Sequence, residues 1–227
     1  MLHPLEQASP RLVMVAGAMR MMYNVTSTLN LNQQHLEFWK GDMSAIRTII
    51  PVTHRLLSLP RLLENVVCEI EAGLLVLGEM LRLSCLLILA AVKKRCSMCV
   101  GDLEPLQESF RPLLCWDLSR LSPQVRGLEL WALTTFALLR GNCDRSPLLD
   151  NIRKAMGATG VESSARVIQT AREFIWVNAV EEEQVEDLEL EIDAMVNQSV
   201  GDGPLQSEKP SNINIGATGL YQLEFRP

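Results

Sequence analysis

The stretch "LRLSCLLILAAVKKRCSMC", Leu81 to Cys99, decides the fold. A solid apolar run leads into Lys93-Lys94-Arg95 and then into Cys96-x-x-Cys99. It can be read as a membrane anchor with a basic flank, as half of a zinc site, or as a core helix. A spanning helix needs about 20 consecutive apolar residues. The longest clean run here, Leu83 to Val92, has ten. Extending it toward the N-terminus meets Arg82 and Glu79 within one turn, and each charge at mid-membrane costs at least ~2.5 kcal/mol. The helical register suits a core helix better. Glu71, Arg82 and Lys93 recur every 11 residues and share one stripe. Glu79 stands three residues before Arg82, the spacing of a structural ion pair. The three basic residues fall in the last turn, where cations complement the helix dipole.

Composition points the same way. Of 227 residues, 48% are hydrophobic and only 5% aromatic, with mean hydropathy +0.11. Leu is abundant and the β-branched and aromatic types that dominate sheets are few, which predicts an all-α domain. We expect an irregular bundle of about seven to nine helices over residues 1–198, with residues 199–227 as a mobile tail rich in Gly, Pro, Ser and Asn. The tail sequence "LYQLEF" alternates weakly, as a short strand would. The first residues resemble no signal peptide, so the six cysteines are expected to be reduced and mostly buried.

Turn signals divide the chain. Ser9-Pro10, Ser122-Pro123 and Ser146-Pro147 each pair an N-cap with Pro at the first helical position. Helices are expected over Arg11–Tyr23, from Asp42 with a kink or restart at Pro51, and over Arg61–Cys99 as one long helix or two, with Gly73 as the break. Shorter ones follow over 103–121, interrupted at Pro112. Further helices run from Ser122 to Gly141, from Ser146 to Gly157 and over Glu162–Val180. "NVTSTLNLNQQ" (24–34) reads as a polar loop.

Net charge is −6, and Glu181 to Asp193 holds eight acids and no base; with these eight set aside, −6 becomes +2. That balance argues against generic nucleic-acid binding, which needs clustered cations. Within the acidic run, Val185, Leu188, Ile192 and Val196 recur at helical spacing, which predicts an amphipathic helix with a solvated acidic face. Such a stretch can also act as an activation segment. Magnesium chemistry of the helical cyclase type would need a cluster such as DDxxD, and none is present. Cys96-x-x-Cys99 finds no second pair, and His3, His35 and His54 all precede it, so a four-ligand zinc site is not expected. No P-loop, nucleophile elbow or dinucleotide fingerprint occurs. No catalytic, cofactor-binding or metal-binding residue is nominated.

Four patches, in order, resemble the C-terminal part of the fungal-specific transcription factor domain. This is the helical regulatory region of binuclear zinc cluster regulators. They are "HRLLSLP" (54–60), "EMLRLSCLLILAAVKKR" (79–95), "GLELWALTTFALLRG" (127–141) and "ARVIQTAREFIWVNAVEEE" (165–183). In that family a Glu-x-x-Arg-Leu-x-x-Leu helix, a Leu-Trp helix and a Trp-Val ending follow one another. Here these fall on Glu79, Arg82, Leu83 and Leu86, on Leu130 and Trp131, and on Trp176 with Val177. The resemblance covers about residues 43–195. It implies a nuclear regulator acting through a protein partner, a full-length regulator or the transcription machinery, with secondary metabolism among the processes open to it. Without the resemblance a cytoplasmic location is expected. The family's Cys-x-x-Cys-x6-Cys element does not occur in these residues, so direct DNA binding, a cofactor and a membrane are not expected. The alternatives are a helical module sensing an apolar small molecule and a truncated remnant of a regulator.

Overall fold

A computed structural model of the chain describes residues 6–7, 12–40, 43–60, 69–96, 103–139 and 145–201. These residues form ten α-helices and no strand. In chain order they are α1 (Leu12–Leu31), α2 (Leu36–Lys40), α3 (Ser44–Leu57), α4 (Glu69–Arg95), α5 (Glu104–Phe110), α6 (Pro123–Leu139), α7 (Ser146–Thr159), α8 (Ser164–Arg172), α9 (Asn178–Glu181) and α10 (Val185–Gly201). A 3-10 turn, Arg111–Cys115, follows α5 and carries Pro112. Ser9-Pro10, Cys68, Cys99, Cys143 and the tail sequence "LYQLEF" lie outside the described residues.

α4 and α6 are central. Of the 27 residues of α4, 17 are buried, so it is packed all round rather than on one stripe. α1, α3 and α6 cover it. By length and composition it is the one helix among the described residues that could cross a membrane, and 83% of its most apolar window is enclosed by the rest of the chain. Each fully buried Leu or Ile is worth roughly 1.5–3 kcal/mol against exposure, so this packing dominates the stability of the fold. α6 is equally enclosed, with α4, α7, α8 and α10 around it. Ser84 Oγ on α4 donates to the Ala132 carbonyl of α6 at 3.2 Å, a polar link inside the apolar seam. Phe110 stacks on Phe136 with centroids 4.0 Å apart, which anchors α5 to α6. One apolar cluster runs without interruption from Leu12 to Ile192.

Four local expectations are corrected. First, α1 does not stop at Tyr23 but continues to Leu31 through the polar stretch read as a loop. Thr26 and Ser27 donate to the Tyr23 carbonyl, and Thr28 to that of Asn24, while Leu29 is buried. Their hydroxyls bond back into the helix instead of competing with it. Second, of the one helix or two expected, the described part is one: α4 has no break at Gly73, which lies beneath the side chains of Leu118 and Leu121. Third, α3 contains Pro51 without restarting; the exposed proline gives up one hydrogen bond, and the buried Ile49 and Val52 hold the helix on either side. Fourth, the helix expected over Glu162–Val180 is broken between Arg172 and Asn178. That break organises the polar core described below.

The end of α7 also moves. Gly157 lies inside the helix and is exposed, and nothing stands within 4 Å of where its Cβ would be. The chain turns at Gly160 instead, with φ +68°, in a Schellman arrangement in which the Val161 N–H donates to the Met156 carbonyl at 3.0 Å. Two identical substitutions should therefore act oppositely. Gly160→Ala forces a side chain into the left-handed region and should destabilise by about 1 kcal/mol. Gly157→Ala should stabilise by about 0.5–1 kcal/mol, by restricting the unfolded chain. Urea denaturation of both variants checks this; changes of the same sign would contradict the assigned helix end.

Candidate functional site

The five residues between α8 and α9 leave the helix inside the protein, and their backbone groups need partners there. The Ile175 carbonyl accepts from Trp131 Nε1 at 2.8 Å. The Trp176 carbonyl accepts from Asn30 Nδ2 at 2.7 Å, and Asn30 Oδ1 accepts from the Asn178 N–H at 3.0 Å. Glu181 Oε2 accepts from the Val177 N–H at 2.7 Å. Side chains from α1, α6 and α9 thus staple one buried turn. Phe174 packs edge-on to Trp131 with centroids 5.1 Å apart, and the Arg172 guanidinium lies 5.5 Å over the Trp176 ring.

Of the residues carrying the resemblance, the apolar ones named for its three segments are enclosed. Leu83, Leu86, Leu130, Trp131 and Trp176 are buried. Glu79 and Arg82 form a bidentate ion pair on α4, with Nε to Oε2 at 2.9 Å. Their side chains are about 15% exposed, so the pair lies at the rim of the core rather than free in solvent.

The acidic run is expected to lie mostly on a solvated face, and one of its members departs from that face. Val185, Leu188 and Ile192 do turn the apolar face of α10 inward, and Glu186, Asp187 and Asp193 are exposed. Glu181, however, is completely buried. Arg172 holds Glu182 through two contacts of 2.8 Å, and Arg145 holds Glu191 at 2.7 Å. Burial is the main reason the Glu181 carboxyl is raised to about 8, against the pull of the Val177 N–H and the Thr135 hydroxyl. Oε1 of Glu181 and Oγ1 of Thr135 are buried without an aligned hydrogen bond. The neighbouring Cys85 thiol is pushed up by burial and by Glu181, which makes it an inert packing group rather than a nucleophile. Among the described residues no three His, Cys, Asp or Glu side chains are grouped to hold a metal ion.

A second polar group lies at the surface end of α6. The 3-10 turn and the loop after it, together with α6 and α7, enclose a cleft of about 490 Å³. Arg126 and Glu129 line it, although they are only 3% and 4% exposed. Arg126 Nε stands 2.7 Å from Glu129 Oε2, but the two are not aligned for a hydrogen bond and neither atom has another partner. Desolvation raises the Glu129 carboxyl to about 7, with Arg126 and Lys154 pulling it down and Asp117 pushing it up. Trp116 stands half exposed at the rim. Asn151 Nδ2 on α7 ties the wall together by donating to the Leu114 carbonyl at 3.2 Å.

Sequence reasoning did not single out Arg126, Glu129, Glu181 or Asn30. The visible signal for the first two was a charged pair three residues apart in a helix otherwise apolar on every side. For Asn30, whose partner lies 146 residues away, no sequence signal exists. No family model, curated protein or solved structure matches this chain.

Two outcomes follow from the staple. Trp131→Phe keeps the ring but leaves the Ile175 carbonyl dry and unpaired, and should cost about 2–3 kcal/mol. The same variant should speed hydrogen exchange at the Val177 and Asn178 amides; unchanged protection there would remove the staple's role. The second outcome concerns pH. The folded chain keeps the Glu181 proton that the unfolded chain releases, so stability falls as pH rises from about 4.5 through about 8. Glu181→Gln has no proton to lose. Its stability relative to the natural chain should improve by about 1.4 kcal/mol per pH unit within that window. Denaturation at about pH 5 and about pH 8.5 reads the difference, and a pH-independent difference would contradict it.

Proposed function

We propose that this chain is a helical regulatory module of the transcription-regulator type that acts through protein contacts. The observation that carries this reading is convergence. The Leu-Leu-Ser-Leu-Pro segment, the Glu79–Arg82 helix, the Leu130-Trp131 helix and the Trp176-Val177 turn resemble one family in order, and in space they pack into one core. Leu56, Leu83, Trp131 and Trp176 are all buried in that single cluster. The contact surface available to a partner includes the exposed apolar residues Val13, Met14 and Met21 on α1 and Ile50 and Leu57 on α3. Exposed side chains of this kind suit recognition of another folded protein. DNA contact, in this reading, comes from the partner.

Sensing of a small molecule is the second reading, and the cleft beside Trp116 is the observation that favours it. Tagged protein expressed in a fungal cell tests the first. The chain should concentrate in the nucleus, and crosslinked purification should recover a regulator bearing a binuclear zinc cluster. A cytosolic chain recovered without any transcription-factor partner would overturn the reading.

A further inference from the structure

The cleft between the Leu114–Ser119 segment, α6 and α7 combines three properties. It has the volume of a small-molecule site, about 490 Å³. It has an apolar side, formed by Leu114, Leu118 and the half-exposed Trp116 indole. Its floor and wall also carry charged side chains whose mutual pairing is incomplete. Arg126 and Glu129 are buried, close and misaligned. Lys154 is exposed on α7 and acts on Glu129 through space.

The charge balance selects the ligand. Two cations, Arg126 and Lys154, face two acids, Asp117 and Glu129. Asp117 offsets one of the two cations: the Ser119 N–H at 2.9 Å and the Ser119 hydroxyl at 3.0 Å, with Arg120 and Arg126 nearby, hold its carboxyl below the usual range and so keep it charged. Glu129, raised by desolvation to about 7, is only partly ionised near neutrality. The cleft is therefore short of negative charge. A buried guanidinium without a well-aligned partner is costly, and a carboxylate offers two acceptors in the matching fork geometry.

We propose that this cleft binds a small organic carboxylate with an aromatic or apolar body, the carboxylate on Arg126 and Lys154 and the body against Trp116 and Leu114. An anion seated there adds negative charge beside Glu129, so binding is coupled to proton uptake by that carboxyl. The groups facing it are Arg126 on its own helix, Asp117 on the loop and Lys154 on α7. The bound form holds the extra proton. Affinity is consequently highest below pH about 7 and falls as pH rises above it, by up to about tenfold per unit.

Calorimetric titration with sodium phenylacetate tests this, with phenylacetamide, phenethylamine and inorganic phosphate as comparators. Phenylacetate should bind with a dissociation constant on the order of 1 mM. The amide, the amine and phosphate should bind at least about tenfold more weakly, for want of charge, of the right sign, or of an apolar body. Lys154→Gln and Trp116→Ala change exposed residues and should leave the melting temperature in place while weakening phenylacetate about five- to tenfold each. Glu129→Gln mimics the protonated carboxyl, and its affinity should lose the pH dependence. No saturable binding of phenylacetate, equal binding of the amide or phosphate, preference for the amine, or indifference to both surface substitutions would each overturn the proposal. These titrations read the cleft alone, so their outcome is independent of any nuclear partner.

Discussion

The hydrogen bond from the Trp131 indole to the Ile175 carbonyl is the constraint on which the rest of the fold depends. Between α8 and α9 the chain abandons helical pairing at Phe174 to Val177, all of them buried. An unpaired buried carbonyl costs about 1–3 kcal/mol, a large share of the stability of an ordinary domain. Trp131 satisfies one carbonyl, Asn30 the next, and Glu181 the amide after that. The turn can then stay buried, and α8 and α10 can pack on each other while both lie against α6. A continuous helix over the same residues would carry Asn178 and the start of the acidic segment onward along the α8 axis, away from α1. Three side chains from distant parts of the sequence thus close the fold at one point.

Much of the architecture was legible because apolar periodicity and capping signals are local. Ser122-Pro123 marks the start of α6, and Val185, Leu188 and Ile192 give the inner face of α10. What was not legible depends on which of several available partners or backbone conformations a residue takes. Thr26, Ser27 and Thr28 read as loop formers because their hydroxyls can bond either to a turn or back to the preceding helical turn, and composition does not say which. The break after Arg172 is encoded by the donors from which its carbonyls accept, one of them on α1. Gly157 and Gly160 carry the same residue type; only the backbone conformation at the second requires it.

The two buried acids differ in what surrounds them, and that difference separates support from site. Glu181 is fully enclosed by apolar residues, the Val177 N–H and Thr135, and it carries out a structural task by bonding its own helix start. Glu129 is nearly as buried but forms part of a cleft wall, beside a guanidinium that it does not fully engage. The cost of desolvating both members of the Arg126–Glu129 pair exceeds what a misaligned contact returns. In the core such a pair would be replaced by packed apolar residues at little loss. At a cleft it keeps polar groups positioned where another molecule can complete their bonding.

The residues that carry the family resemblance bear on this division. Leu83, Leu86, Leu130, Trp131 and Trp176 are all enclosed, so none can itself touch a partner. Their pattern speaks of how the chain packs, and it would persist in relatives that recognise quite different molecules. Under the proposed reading, a partner would meet surfaces that the pattern does not reach: the exposed apolar residues of α1 and α3, the outer acids of α10, or the cleft beside Trp116. The surfaces of α1 and α3 abut α4, whereas the cleft abuts α6. The cleft also reaches α4, through Leu118 over Gly73, and Ser84 and Ala132 join the two central helices across the seam.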